Sequence, residues 1–211
     1  MKMLNIARLS TMLAASVLLV ACGSDDDSSV VTYEVSVSNL THNQPLSPVG
    51  VLIHSDQYQG WQIGSMASLA LEELAEGGAN DTFIALDDDS KLASMSGTGA
   101  IVPGASEAIE ISVDAEQANV QLTVATMLVN TNDAFTGRTG VDLSELEMGD
   151  SMSFRLPVYD AGTEMNDEQT STIPGQGGEG FVVDRNDVYL GSLSLHRLLT
   201  QSPDTMVKEH L

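Results

Sequence analysis

The stretch "VQLTVATMLV", Val120 to Val129, is a long apolar run that ends in the polar sequence "NTNDAFTG". Its β-branched residues and the turn-forming residues that follow predict a strand in the middle of a sheet or sandwich. A second dense run, "VGVLI" at 49–53, indicates another strand of the same kind.

Three other stretches alternate apolar and polar residues with a period of two, which is typical of strands with one buried face. They are "YEVSVS" at 33–38, "IEISV" at 109–113 and "MSFRLPV" at 152–158. A further strand or two is expected within "FVVD" at 181–184 and "VYLGSLSL" at 188–195. Clusters of Gly, Pro, Asn and Asp separate these runs, and together they predict an all-β fold, an antiparallel β-sandwich.

One segment has helical rather than strand periodicity. In "SMASLALEELAEGG", 65–78, apolar residues recur at helical spacing, Ser65 is a candidate N-cap, and Gly77 and Gly78 are candidates to end the helix. A second, weaker helix is predicted within "FIALDDDSKLASM", 83–95. The C-terminal sequence "TQSPDTMVKEHL" is interpreted as a frayed tail.

The first thirty residues have the layout of a secretory signal. Lys2 and Arg8 precede the apolar run "MLAASVLLVA", which is too short for a stable membrane span. "LVAC", Leu19 to Cys22, matches the bacterial lipobox, in which Cys22 receives a diacylglyceryl group and becomes the first mature residue. The alternative is an ordinary secretory signal followed by an incidental Cys.

These features divide the chain into four parts: a lipoprotein signal peptide (1–21), an acidic tether (22–30), one domain (31–200) and a tail (201–211). They predict a protein of the bacterial cell envelope, held at the membrane by the lipid on Cys22. Gly23 stands where an Asp commonly retains lipoproteins at the inner membrane, which favours the outer membrane.

The charge of the chain narrows the range of its partners. Removal of the signal leaves 6 basic and 30 acidic residues, a net charge of −24. Phosphate repulsion then makes nucleic acid and anionic lipid poor partners, whereas cations are natural ones. Lipidation of Cys22, the one Cys of the chain, leaves no thiol for a disulfide, so stability must come from a core or from bound ions.

Sequence motifs of enzymes are absent. The four His residues have no zinc-hydrolase spacing, and no Ser occupies a nucleophile elbow. His54 directly follows an apolar run and is interpreted as a hydrogen-bonded structural residue. A hydrolase that uses His54 with Asp56 near a metal is the alternative. We therefore predict that the protein is not an enzyme.

Polar residues cluster just after the predicted strands. Asp133 follows the run that ends at Val129, and Asp160 and Glu164 follow the strand over 152–158. The end loops of neighbouring strands in a sandwich lie together, so these acids are candidate ligands of one ion. Calcium takes six to eight oxygens from carboxylates, carbonyls and water. The alternative is that these acids are simply solvated.

Several stretches resemble the spondin N-terminal domain, which occurs in animal matrix proteins and in bacterial lipoproteins. The resemblance covers roughly 31–174 and rests on "PLSPVGVLIHSDQYQGW", "LEELAEGG", "MLVNTNDAFTG", "YDAGTE" and "TIP". It implies an eight-stranded antiparallel sandwich related to C2 domains, without catalytic activity. It also implies a Ca²⁺ ion held by Asp133, Asp160 and Glu164, although animal members usually have Asp at the last position.

The leading hypothesis is a calcium-binding envelope lipoprotein that uses its ordered end loops for adhesion to a surface glycan or protein ligand. A structural envelope protein in which calcium acts only as a staple remains the first alternative. A metal-dependent envelope hydrolase is the second.

Overall fold

The computed structural model describes residues 29–166, 169–182, 191–195 and 204–210. The predicted signal peptide, most of the predicted tether and Cys22 lie outside these residues. Within the described chain, no helix is long and apolar enough to cross a membrane.

The elements are, in order, β1 (Val30–Ser38), β2 (Gly50–His54), α1 (Leu69–Gly77), α2 (Asp81–Ile84), β3 (Lys91–Ser96), β4 (Ser106–Asp114), β5 (Gln121–Met127), β6 (Ala134–Asp142), β7 (Ser151–Arg155), β8 (Val158–Asp160), two 3₁₀ turns (Thr170–Thr172 and Pro174–Gln176), β9 (Ser194–Leu195) and β10 (Asp204–His210).

The strands form two antiparallel sheets, which confirms the predicted β-sandwich. One has the order β4-β1-β10-β7, and the other has the order β3-β2-β5-β6-β8-β9. The inward side chains of β1 and β4 alternate with exposed ones, as their period of two predicts. They meet the six-stranded sheet in a core whose fully buried members include Val35, Val37, Leu46, Val51, Ile53, Leu122, Val124 and Leu156.

A second apolar cluster covers the other face of the six-stranded sheet. Its fully buried members are Leu52, Leu71, Leu74, Ala75, Ala125, Phe135 and Ala161. Within β2, Val51 and Ile53 therefore face one cluster and Leu52 faces the other. Burial on both faces explains why "VGVLI" is apolar without alternation, and it confirms that β2 and β5 are central strands.

Helix α1 starts later than the sequence analysis predicts. Ser68, not Ser65, caps it by accepting a hydrogen bond from the Leu71 N–H at 3.3 Å. The Ser65 carbonyl instead accepts a hydrogen bond from the Leu193 N–H at 2.9 Å, so it is paired outside the helix. The predicted end is confirmed, because the helix ends at Gly77 and Gly78 has a left-handed conformation with φ of 68°.

Two other local expectations are wrong, and a third is confirmed in part. The helix predicted over 83–95 is only the four-residue α2, and Lys91–Ser96 is strand β3, paired with β2.

The stretch "MSFRLPV" is two strands in different sheets, since the chain leaves β7 at Leu156 and Pro157 and enters β8. Phe181 and Val182 are not in a strand, and 183–190 lies outside the described residues. Ser194–Leu195 of "VYLGSLSL" is a strand, as predicted.

The interpretation of 200–211 as a frayed tail is wrong for Asp204–His210. This segment is β10, which pairs with β1 on one side and with β7 on the other. Its pairing with β1 runs from Thr32↔His210 to Ser38↔Asp204. A pairing this distant in sequence leaves no local signal, so a short polar stretch at the C-terminal end gives no indication of it.

The close approach of β6 to β5 requires glycine at position 137. A Cβ atom there would lie 2.8 Å from Trp61 Cη2 and would also collide with the Val124 carbonyl oxygen. We expect Gly137→Ala to lower the free energy of unfolding by about 1–3 kcal/mol, the usual effect of overpacking a core. Urea unfolding measures this loss.

Gly99→Ala is the matched control, because a Cβ atom at that position has no neighbour within 4 Å. Its free energy of unfolding should stay within about 0.5 kcal/mol of the wild-type value. Equal stability of the two variants would show that the sheet adjusts around position 137.

Candidate metal centre

Asp133 ends a tight turn between β5 and β6. The Thr131 hydroxyl donates a hydrogen bond to the Leu128 carbonyl at 2.6 Å and accepts one from the Ala134 N–H at 3.1 Å. These bonds close the turn over the core and leave Asp133 only 1 % exposed. Asp133 thus lies directly before the first residue of β6, next to β8, the strand that pairs with this end of β6.

Asp160 lies directly beside this turn. Strand β8 pairs with β6 in a register that sets Asp160 opposite Ala134, and the Ala161 N–H donates to the Asp133 carbonyl at 3.2 Å. One carboxylate oxygen of Asp160, Oδ1, accepts from the Gly162 N–H at 2.8 Å, and Oδ2 accepts from the Asn166 side chain at 2.8 Å. Two acids far apart in sequence therefore become neighbours through the pairing of two strands.

The loop after β8 turns at Gly162. Its φ of 69° is a left-handed conformation that favours glycine. A Cβ atom would also lie 2.9 Å from the Ser192 carbonyl oxygen, and the Gly162 carbonyl accepts from the Gly191 N–H at 2.9 Å. This conformation directs the next two amides back toward Asp133.

The Asp133 carboxylate lies among backbone N–H groups. Its Oδ2 atom accepts hydrogen bonds from the Thr163 N–H at 3.0 Å and from the Glu164 N–H at 3.1 Å. Burial raises the pKa of Asp133 to about 6, and the negative charge of Asp160 adds to the rise, while these amides oppose it. In the described chain, no basic side chain forms an ion pair with either acid.

Glu164 joins the group through its backbone, and its side chain is 6 % exposed. Within the described ranges, no set of three or more His, Cys, Asp or Glu side chains is arranged to hold a metal ion. The structure thus brings Asp133 and Asp160 together and places Glu164 in the same loop. A buried carboxylate, Asp133, beside the partly buried carboxylate of Asp160 suits a cation, because a cation relieves both desolvation and mutual repulsion.

Some contacts around the site could not be read from residue spacing. The Gln44 side chain accepts a hydrogen bond from the Asn130 N–H at 2.7 Å, and the Asn130 side chain donates to the Asn43 carbonyl at 2.9 Å. The Asn132 side chain donates to the Met165 carbonyl at 3.1 Å. These contacts tie the Asp133 turn to two other loops, and only the Asn-rich composition of the turn indicates them.

His54 is in the interior, as its position after an apolar run predicts. It is fully buried, with Nδ1 2.8 Å from the Ser55 carbonyl and Nε2 2.7 Å from the Thr123 hydroxyl. Burial lowers the pKa of His54, so the imidazole stays neutral at pH 7. Both ring nitrogens of His54 have hydrogen-bond partners, and Asp56 is exposed to solvent. This arrangement is typical of a structural histidine rather than of a general base.

The fold and the site define a class: an antiparallel β-sandwich with an acidic turn and an acidic loop adjacent at one end of a sheet. A family model described as Spondin_N matches residues 38–179, and the chain belongs to this family. A search of curated proteins gives no match. Membership in this family favours a binding or adhesion domain over a catalytic one.

Proposed function

We propose that the protein is a calcium-binding, non-enzymatic lipoprotein of the cell envelope that binds a surface glycan or protein ligand through its end loops. The single observation that carries this proposal is the adjacency of Asp133 and Asp160, with Asp133 buried and neither acid neutralised by a basic side chain in the described chain. Family membership supports the binding part of the proposal.

In this proposal, Asp133, Asp160 and Glu164 are the acidic ligands. Each carboxylate oxygen has more than one lone pair, so the hydrogen bonds of Asp133 and Asp160 leave capacity for a cation. Three acids supply part of a shell of six to eight oxygens, which loop carbonyls and water would complete. The ion supplies positive charge that orders the turn before β6 and the loop after β8.

The membrane anchor is the lipid on Cys22. The lipobox "LVAC" and the acidic sequence after it support this part, and it places the domain at the end of a short tether. Gly23 in the same sequence supports a location at the outer membrane. Calcium at the site also substitutes for the disulfides that a chain without further Cys cannot form.

Calcium should raise the stability of the soluble domain, residues 23–211. At a hundredfold excess over Kd we expect an increase of about 2.7 kcal/mol in the free energy of unfolding relative to chelator. Urea unfolding in calcium and in chelator measures the difference. Glu110→Gln removes an exposed charge on β4 and should respond to calcium like the wild-type protein.

Identical unfolding curves in calcium and chelator would overturn the calcium site. If calcium stabilises the domain but glycan and protein binding is the same in chelator, the ion is a staple and the binding role of the loops is wrong. Binding that disappears in chelator while the domain stays folded supports the full proposal.

A further inference from the structure

The Thr163 hydroxyl is a buried polar group within the acidic loop. Its oxygen is shielded from solvent and has no hydrogen-bond partner in the described part of the chain. The backbone N–H of the same residue donates to Asp133 Oδ2 at 3.0 Å. Thr163 therefore touches the candidate centre through its amide, while its hydroxyl has no assigned role.

An unsatisfied hydroxyl of this kind is costly. Leaving a buried polar group without a partner costs about 1–3 kcal/mol. Thr163 lies between two acids, Asp160 and Glu164, which are natural acceptors for a hydroxyl proton. The hydroxyl donates to neither of them, and because its oxygen also accepts no hydrogen bond in the described chain, both of its lone pairs remain available to an electron-pair acceptor.

We propose that Thr163 Oγ1 is a neutral ligand of the calcium ion, in addition to the acidic ones. This inference rests on the proposed calcium site. Covalent geometry holds a threonine hydroxyl within about 4 Å of its own amide nitrogen, and that nitrogen lies 3.0 Å from Asp133 Oδ2. Oxygens that share one calcium ion lie up to about 5 Å apart, and three acids leave places in the shell for a neutral oxygen.

The test compares Thr163→Val with Thr163→Ser. Valine keeps the shape of the side chain and removes the hydroxyl, whereas serine keeps the hydroxyl and removes a methyl group. Calorimetric titration of the domain with calcium should give a Kd about tenfold weaker for the valine variant, equivalent to about 1.4 kcal/mol. The serine variant should remain within about threefold of the wild-type protein.

Two readouts separate a ligand from a structural residue. In chelator, Thr163→Val should be at least as stable as the wild-type protein, because it removes an unsatisfied buried hydroxyl. With terbium in place of calcium, the luminescence lifetimes in H₂O and D₂O should show roughly one additional bound water in the valine variant, which replaces the lost oxygen.

A wild-type domain that binds no calcium would overturn the proposed function and this inference together. A wild-type domain that binds calcium, with an equal Kd and equal bound water in Thr163→Val, would overturn this inference alone. If the valine variant does not fold, Thr163→Ala is the second variant without a hydroxyl, and the same weaker Kd and additional water are expected for it.

Discussion

An Asp133→Asn variant is expected to be more stable than the wild-type protein in chelator at pH 7.5 and to gain no stability from calcium. The pKa of Asp133 is raised from 3.8 to about 6, so ionising this group at neutral pH costs the folded state about 3 kcal/mol. Asparagine removes that charge, and its carbonyl oxygen can still accept the Thr163 and Glu164 N–H groups. The same change removes a proposed calcium ligand.

The pH dependence has a defined sign. Because the pKa of Asp133 is higher in the folded state, its contribution is fully present below pH 3.8 and is lost as pH rises through about 6. In chelator, the stability of the wild-type protein relative to Asp133→Asn should therefore fall between pH 4 and pH 7. Urea unfolding of both proteins across this range measures the difference.

Glu110→Gln is the control for this experiment, because its charge is exposed to solvent on β4. Its stability relative to the wild-type protein should stay level over the same pH range. An Asp133→Asn variant that is less stable than the wild-type protein in chelator would mean that hydrogen bonding to the carboxylate outweighs the cost of its burial.

Removal of residues 204–211 is expected to abolish cooperative folding. Strand β10 pairs with both β1 and β7, so its loss leaves β7 without a partner, frees one edge of β1 and opens the core around Val35 and Val37. The loss of folding stability is large because buried backbone groups and apolar side chains become exposed together. Far-UV circular dichroism and urea unfolding measure it.

The control is removal of Leu211 alone, which follows β10 and lies outside it. That variant should unfold at the wild-type urea concentration. If the domain without 204–211 unfolds cooperatively at a similar urea concentration, β10 does not contribute to the stability of the sheet.

Local sequence pattern was enough to predict the strands that either alternate with a period of two or are continuous apolar runs. Strands β1 and β4 alternate, and β2 and β5 are continuous apolar runs because they are buried between two layers. Strand β3 was mistaken for part of a helix, since "KLASMS" has no alternation and its extended form depends on pairing with β2. The start of α1 was misplaced because Ser65 pairs with Leu193, which is remote in sequence.

Much of the candidate site could be anticipated for a simple reason. Polar residues that directly follow a strand lie at the end of a sheet, which placed Asp133 and Asp160 on separate loops of the sandwich. The pairing of β6 with β8 makes them neighbours, and residue spacing alone does not specify that pairing. The burial of the Thr163 hydroxyl depends on how the loop folds back, so only the structure reveals it.

The pairing of Thr32 with His210 joins the first and last strands of the described chain. A polypeptide that stops before β10 therefore lacks the strand on which the four-stranded sheet closes. Contacts between residues so far apart form slowly, because a long loop must close before they are gained. The four-stranded sheet of this domain consequently cannot form until β10 has been synthesised, and until then the chain remains open to proteases and chaperones.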